Sequence, residues 1–213
     1  LMQPQTLWQM FDEVGFGRPP QSGFPGEASG RVRPYKTWKP IEQATMSYGH
    51  GISLSLMQLA RAYTIFTNDG ELKPVSFMRL DQPLPGKQVI RPDTARKMRD
   101  MLMTVTQPGG TAPRAQVLGF TVGGKTGTAH KQEGRGYAAS KYISSFVGFA
   151  PATRPRLIVA VMIDEPQGQH YGGPVAGPVF ANVAANALRA LNVPPDSSVT
   201  NIIIPKEPLE ESM

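Results

Sequence analysis

Apolar residues recur at helical spacing in three places along the chain. Within residues 4–14 (PQTLWQMFDEV), Leu7, Met10, Phe11 and Val14 fall three and four apart, which predicts a short amphipathic helix ended by Gly15. From Ser53 to Asn68 the series Leu54, Met57, Leu59, Ala60, Tyr63, Ile65 and Phe66 predicts a well-buried helix, stopped by Asn68-Asp69-Gly70. Residues 92–106 open on Pro92 and Asp93, good helix-start chemistry, and turn Ala95, Met98, Met101, Leu102 and Val105 inward. Between the first two helices, Phe16 to about Glu42 holds Pro19, Pro20, Pro25, Pro34 and Pro40. This stretch reads as a long irregular loop, packed rather than linking, because it also carries Phe24, Tyr35 and Trp38.

The second half changes period. Val117–Val122, Tyr142–Ala150 and Arg156–Ile163 are short β-rich runs between Gly/Pro turns, and the last, apolar throughout, reads as a central strand. A final helix is expected from roughly Val175 to Leu191. Three helices followed by strand, strand, strand and helix predict an α+β fold, a sheet with helices on its faces. Residues 1–193 read as part of one domain, and Pro194-Pro195 with the acidic stretch to Met213 as a peripheral tail.

Composition narrows the function classes. The 213 residues include 22 Gly and 21 Pro, which argues against a simple helical bundle. Lys and Arg exceed Asp and Glu by 22 to 16, but the positive charges are scattered, so no nucleic-acid partner is expected. The absence of cysteine excludes disulfide scaffolds, Cys-ligated zinc, iron–sulfur clusters and thiol nucleophiles. The longest unbroken apolar run, Leu157 to Ile163, is far short of a membrane span. With no visible leader and Leu1 at its start, the sequence is expected to be a fragment. His50, His130 and His170 lack ligand spacing, and neither a metal nor a cofactor is expected.

One lysine admits two readings. Gly119-Phe120-Thr121-Val122-Gly123-Gly124-Lys125-Thr126 fits the phosphate-loop formula, and Leu157–Asp164 offers an apolar strand ending in a carboxylate for magnesium, which together would make a nucleotide hydrolase. A phosphate loop needs a buried strand before it and a helix starting at its lysine. Residues 109–116 are turn-like and polar, and Gly127, Gly134 and Gly136 follow within about ten residues, each costing about 1 kcal/mol in a helix interior. The other reading makes Lys125-Thr126-Gly127-Thr128 a strand beside a cleft. Thr126 and Thr128 then share one face, Gly127 clears the way for a ligand backbone, and Lys125 adds positive charge. A Gly-Thr turn with a solvated lysine would leave the same string.

Further motifs favour the strand. Lys-Thr-Gly is one of three signatures of penicillin-binding proteins and serine β-lactamases. Phe24-Pro25-Gly26-Glu27, Met46-Ser47-Tyr48-Gly49-His50-Gly51, Leu56–Tyr63 with Asn68-Asp69-Gly70, Gly124–Ala129, Tyr142–Pro151, and Tyr171-Gly172-Gly173 with Ala176–Phe180 follow one another in order. Together they make nearly the whole chain resemble the transpeptidase domain of class B penicillin-binding proteins, above all the septal, division-specific kind of Gram-negative bacteria. The fold this implies is the serine β-lactamase/D,D-peptidase type, an antiparallel sheet flanked by helices, here only its C-terminal portion.

The same resemblance implies a peptidoglycan D,D-transpeptidase working through a serine acyl-enzyme. It makes Lys125 and the Thr128 backbone N–H, as oxyanion donor, catalytic, and puts Thr126, Gly127, Thr128, Tyr142, His170 and Tyr171 along the substrate and β-lactam cleft. Histidine at 170, where the family has an aromatic ring, is a departure. No serine here has lysine three residues on or asparagine two on, so neither Ser-x-x-Lys nor Ser-x-Asn is present; Thr94–Lys97 and Thr128–Lys131 have only the first spacing. The nucleophile is expected on an upstream segment of the same protein. Implied partners are peptidoglycan stem peptides, β-lactams and division-machinery membrane proteins including a glycan-polymerising one. The implied location is the periplasmic face of the bacterial inner membrane, held by an N-terminal anchor. A noncatalytic division scaffold is the remaining alternative.

Overall fold

The computed structural model describes residues 2–133 and 136–198. They divide into two compact units after Arg91. The first unit holds α1 (Pro4–Glu13), α2 (Pro40–Met46), α3 (Leu56–Ala62), α4 (Thr64–Thr67) and a two-stranded ribbon of β1 (Glu71–Leu72) with β2 (Lys87–Gln88). Its small core gathers Val14, Ala62, Ile65 and Leu72, with Phe16, Phe66, Val89 and Ile90 against them.

Helix α1 forms where its apolar spacing predicts. The stretch 16–42 is less irregular than its prolines suggest: Tyr35–Thr37 makes a 3-10 turn, and Pro40 occupies the first turn of α2, where its missing N–H costs nothing. Glu42 starts α2 by accepting the Lys39 N–H at 2.7 Å while it pairs with Arg33. The Phe24–Glu27 motif is tied back by Glu27, whose carboxylate accepts the backbone N–H groups of Gln21 (2.8 Å) and Ser22 (2.9 Å) and the Ser22 hydroxyl. The single helix expected over 53–68 is two pieces, α3 and α4. Thr64 turns its hydroxyl onto the Arg61 carbonyl at 2.6 Å and accepts the Lys73 N–H at 2.9 Å, a local bond that competes with helix continuation. Its most buried member is the polar Gln58, whose amide bonds to Ser55 N, Arg18 O and Ser29 O.

The second unit holds α5 (Pro92–Met103), a three-stranded antiparallel sheet of β3 (Gly123–Glu133), β4 (Gly136–Ala150) and β5 (Leu157–Asp164), and α6 (Gly172–Ala190). The strand order is β3-β4-β5, so among the described residues β4 is central and β5, expected in the middle, lies at an edge. Its apolar run concealed this. Leu157, Val159, Val161 and Ile163 face the core while Met162, on the other face, stays 47% exposed. Val117–Val122 is not a strand either. Gly119, at φ +81°, turns the chain so that Phe120 N bonds back to Val117 O, and β3 begins only at Gly123.

Register sets the faces. Thr126 pairs with Phe146, Thr128 with Ser144 and His130 with Tyr142, so these side chains share the sheet face that α6 covers. Phe146 and Phe180 meet edge-to-face at 4.8 Å, both fully buried among Ala176, Ala184 and Leu188 of α6. Beyond α6, Asp196 docks the chain at Thr121 and Thr153. Its carboxylate accepts Thr121 N at 2.8 Å and the hydroxyls of Thr121 and Thr153 at 2.5 Å each. Burial alone would raise its pKa, but these bonds outweigh it and hold the carboxyl below the usual range. The tail expected over 194–213 falls outside the described residues from 199 onward.

Two outcomes test this packing. Phe180→Ala should destabilise the fold by about 3–5 kcal/mol in urea titrations, as truncation of a fully buried ring does. Because the Asp196 pKa is lowered on folding, its contribution is present above the ordinary carboxylate range and lost as pH falls through its folded pKa. The stability gap between the parent protein and Asp196→Asn should therefore narrow on acidification, and a gap constant with pH would refute the assignment.

Candidate active-site strand

The run Gly124–Ala129 is extended and belongs to β3, the outer strand of the sheet among the described residues. Gly119–Thr126 is thus a turn running into a strand, with no helix starting at Lys125, and the carboxylate of Asp164 is bound to Lys131 at 2.8 Å. The phosphate-loop reading is overturned: no helix N-terminus stands where it would have to hold the anion.

Lys125 is exposed, and its ammonium lies 3.1 Å from Thr126 O and 3.5 Å from Thr126 Oγ1. Thr126 is buried and shares a hydrogen bond with Thr111 Oγ1 at 3.1 Å. One turn of side chains along, Thr128 accepts the N–H of Gly172, the first residue of α6, at 3.0 Å. Gly127 lies between them: a Cβ there would stand 2.5 Å from Ser145 Oγ, the hydroxyl that donates to Gly127 O at 3.3 Å.

The start of α6 is pressed onto this strand. A Cβ at Gly172 would meet Ser145 O at 2.4 Å and Gly127 O at 2.7 Å, and one at Gly173 would meet Thr111 O at 2.0 Å. Only glycine permits so close a backbone approach. These glycines, with Pro174, also explain why α6 begins three residues before the expected Val175, since the first helical turn tolerates both residue types.

Four rings line up beside the strand. Tyr142 and His170 stack at 4.0 Å with 17° between planes, His130 lies 4.4 Å from Tyr142, and Tyr171 lies 4.4 Å from His170. The Ser144 hydroxyl, fully buried, donates to His170 O and fixes that end of the loop. The structure therefore brings the sequence-derived residues Lys125, Thr126, Gly127, Thr128, Tyr142, His170 and Tyr171 into one region. Sequence reasoning passed over Thr111, set in a stretch read only as a polar turn, and His130, weighed only as a metal ligand. His130 was recoverable, since in a strand it shares the Thr126 and Thr128 face.

The arrangement is a strand edge with a lysine, two hydroxyls, backbone amides near a helix start and an aromatic flank, suited to an extended peptide carrying a carboxylate. Gly172→Ala should cost about 1–3 kcal/mol by overpacking, read from the urea midpoint, and a loss below about 0.5 kcal/mol would argue against the close contact.

Residues 1–185 match the family model described as penicillin binding protein transpeptidase domain. A probable peptidoglycan D,D-transpeptidase PenA of Neisseria flavescens is 47% identical over 98% of this chain and 52% of its own length. The peptidoglycan D,D-transpeptidase FtsI of Escherichia coli K12 is 36% identical over 93% of this chain and 34% of its own. The apo transpeptidase domain of Burkholderia pseudomallei penicillin-binding protein 3 superposes with a TM-score of 0.87 at 55% identity, covering 92% of this chain and 60% of that one. The chain thus spans about half of the first relative and a third of the second.

Proposed function

The chain belongs to the penicillin-binding protein transpeptidase family, and from that premise we propose that it supplies the substrate-binding strand of a peptidoglycan D,D-transpeptidase serving septal wall synthesis. One observation carries the reading: Lys125-Thr126-Gly127-Thr128 lies on an outer strand, with Thr126 and Thr128 on the face where α6 starts. The relatives' names point the same way.

In this reading a serine on an upstream segment attacks the carbonyl between two D-alanines of a stem peptide. The oxygen turned negative is held by backbone N–H groups, one from that serine and one from Thr128. The terminal D-alanine leaves, and the amine of a second stem peptide takes the acyl group to form the cross-link. Lys125 raises the positive potential around the cleft. The hydroxyls of Thr126 and Thr128 bind the terminal carboxylate, helped by the partial positive charge at the start of α6. Tyr142, His170 and Tyr171 form the wall along which the peptide, or a β-lactam mimicking it, lies. No metal or cofactor enters this chemistry, and the partners are stem peptides, β-lactams and division-machinery membrane proteins, including one that polymerises glycan. Among the described residues no helix is long and apolar enough to cross a membrane. A periplasmic location then rests on an anchor upstream of this sequence.

The test is covalent labelling of the protein carrying its upstream segment with a fluorescent penicillin. Label on the serine supports the reading, and a folded protein that takes none favours the noncatalytic scaffold. Thr128→Pro should slow acylation about 100- to 1,000-fold by removing the oxyanion donor, whereas Thr128→Val, which keeps the N–H, should lose far less. Equal losses would assign Thr128 to the hydroxyl alone.

A further inference from the structure

Between the pairs His130–Tyr142 and Gln132–Tyr137 the β3–β4 register shifts, so that one residue, Lys131, faces four residues of β4. Such irregularities re-aim a side chain. Here the ammonium of Lys131 lies 2.8 Å from Asp164 Oδ2, at the end of β5, and 2.8 Å from Glu165 Oε1. The side chain thus links the two outer strands across β4. The two carboxylates raise its pKa, Asp164 most, which keeps the charge in place.

What it holds is the root of a loop. Glu165 takes a left-handed conformation, φ +51°, uncommon for a residue with a side chain, and its N–H donates to Tyr142 O at 2.9 Å. Five residues later the same loop stacks His170 on the Tyr142 ring, and two further on Gly172 reaches Thr128. The loop is therefore pinned at 164–165 by Lys131 and Tyr142, at 170 by Ser144, and at 172 by Thr128. Of these anchors only the first is ionic and made at the rim.

We infer that Lys131 is a positioning residue for ligand specificity. By clamping Asp164 and Glu165 it sets the loop that lays His170 and Tyr171 along the cleft, and so governs how tightly the side chain of a bound acyl donor is held, not the rate of the acyl transfer. The inference rests on the reading of the strand as a penicillin- and peptide-binding edge. The pairs are half-exposed and contribute little to global stability, so the effect belongs to the site.

The experiment uses the protein with its upstream segment, in four forms beside the parent: Lys131→Met, Lys131→Arg, His170→Ala, and Lys131→Met combined with His170→Ala. Acylation by benzylpenicillin and by 6-aminopenicillanic acid, which lacks the aromatic side chain, is resolved into dissociation constant and limiting rate. Lys131→Met should weaken benzylpenicillin binding about fivefold, near the upper end of what an exposed pair contributes, with the limiting rate unchanged. Lys131→Arg should restore it. Binding of 6-aminopenicillanic acid should not move, and Lys131→Met should add nothing once His170 is alanine. Equal weakening of both ligands, a lowered limiting rate, or a full additional loss on the His170→Ala background would overturn the inference. A second readout does not need a penicillin. The fluorine resonance of 3-fluorotyrosine at Tyr142, assigned by Tyr142→Phe, should shift in Lys131→Met as the stack loosens, while the thermal midpoint stays within about 4 °C. A parent that takes no penicillin would refute the proposed function; an unmoved fluorine signal would refute the clamp itself.

Discussion

The site depends on a helix whose first turn rests on bare backbone. α6 meets β3 and β4 at Gly172 and Gly173, where any side chain would collide with the carbonyls of Gly127, Ser145 or Thr111. That approach lets a helix N–H reach the Thr128 hydroxyl and draws Tyr171 and His170 up beside the strand. Farther along, α6 stays close to the sheet because the small residues Ala176, Gly177 and Ala184 flank the large Phe180 ring, with Leu188 buried one turn beyond. Phe180 against Phe146 fills the space that the small residues leave.

β4 transmits this order to both sides. On the α6 face it contributes Ser144 and Phe146, and on the opposite face Val147 and Phe149, all buried. Gly123 and Gly124 of β3 are tight against the rings of Phe149 and Phe146. The strand bearing Lys125 is therefore gauged by aromatic side chains of its neighbour, and its position is not a matter of backbone pairing alone. The hydroxyl bond between Thr126 and Thr111 adds a tie from the turn before it.

Much of this was legible in the residues. Period and breakers located α1, α5, β4 and the body of α6, and the glycines after Lys125 ruled out a helix there, as β3 bears out. The failures have physical causes. An apolar run looks alike whether a strand is central or peripheral, so β5 was misplaced. A positive φ at Gly119 and a hydroxyl bond at Thr64 ended elements whose hydrophobic pattern continued. Gln58 shows the converse, a polar side chain buried because three backbone groups satisfy it. The ring cluster was half visible: Tyr142, His170 and Tyr171 could be named from the family resemblance, but His130 joins only once cross-strand register is known. Lys131 gave no signal, since its partners lie 33 and 34 residues away.

An outer strand leaves backbone groups open to pairing with another sheet, the usual route to sticking and fibre growth. β3 carries a counterweight in its own composition. Lys125 stands exposed on that edge, where a charged side chain discourages a second sheet from docking, whereas the Lys131 ammonium is taken up by Asp164 and Glu165. The lysine that the proposed function sets beside the cleft thus also guards the rim of the sheet against self-association.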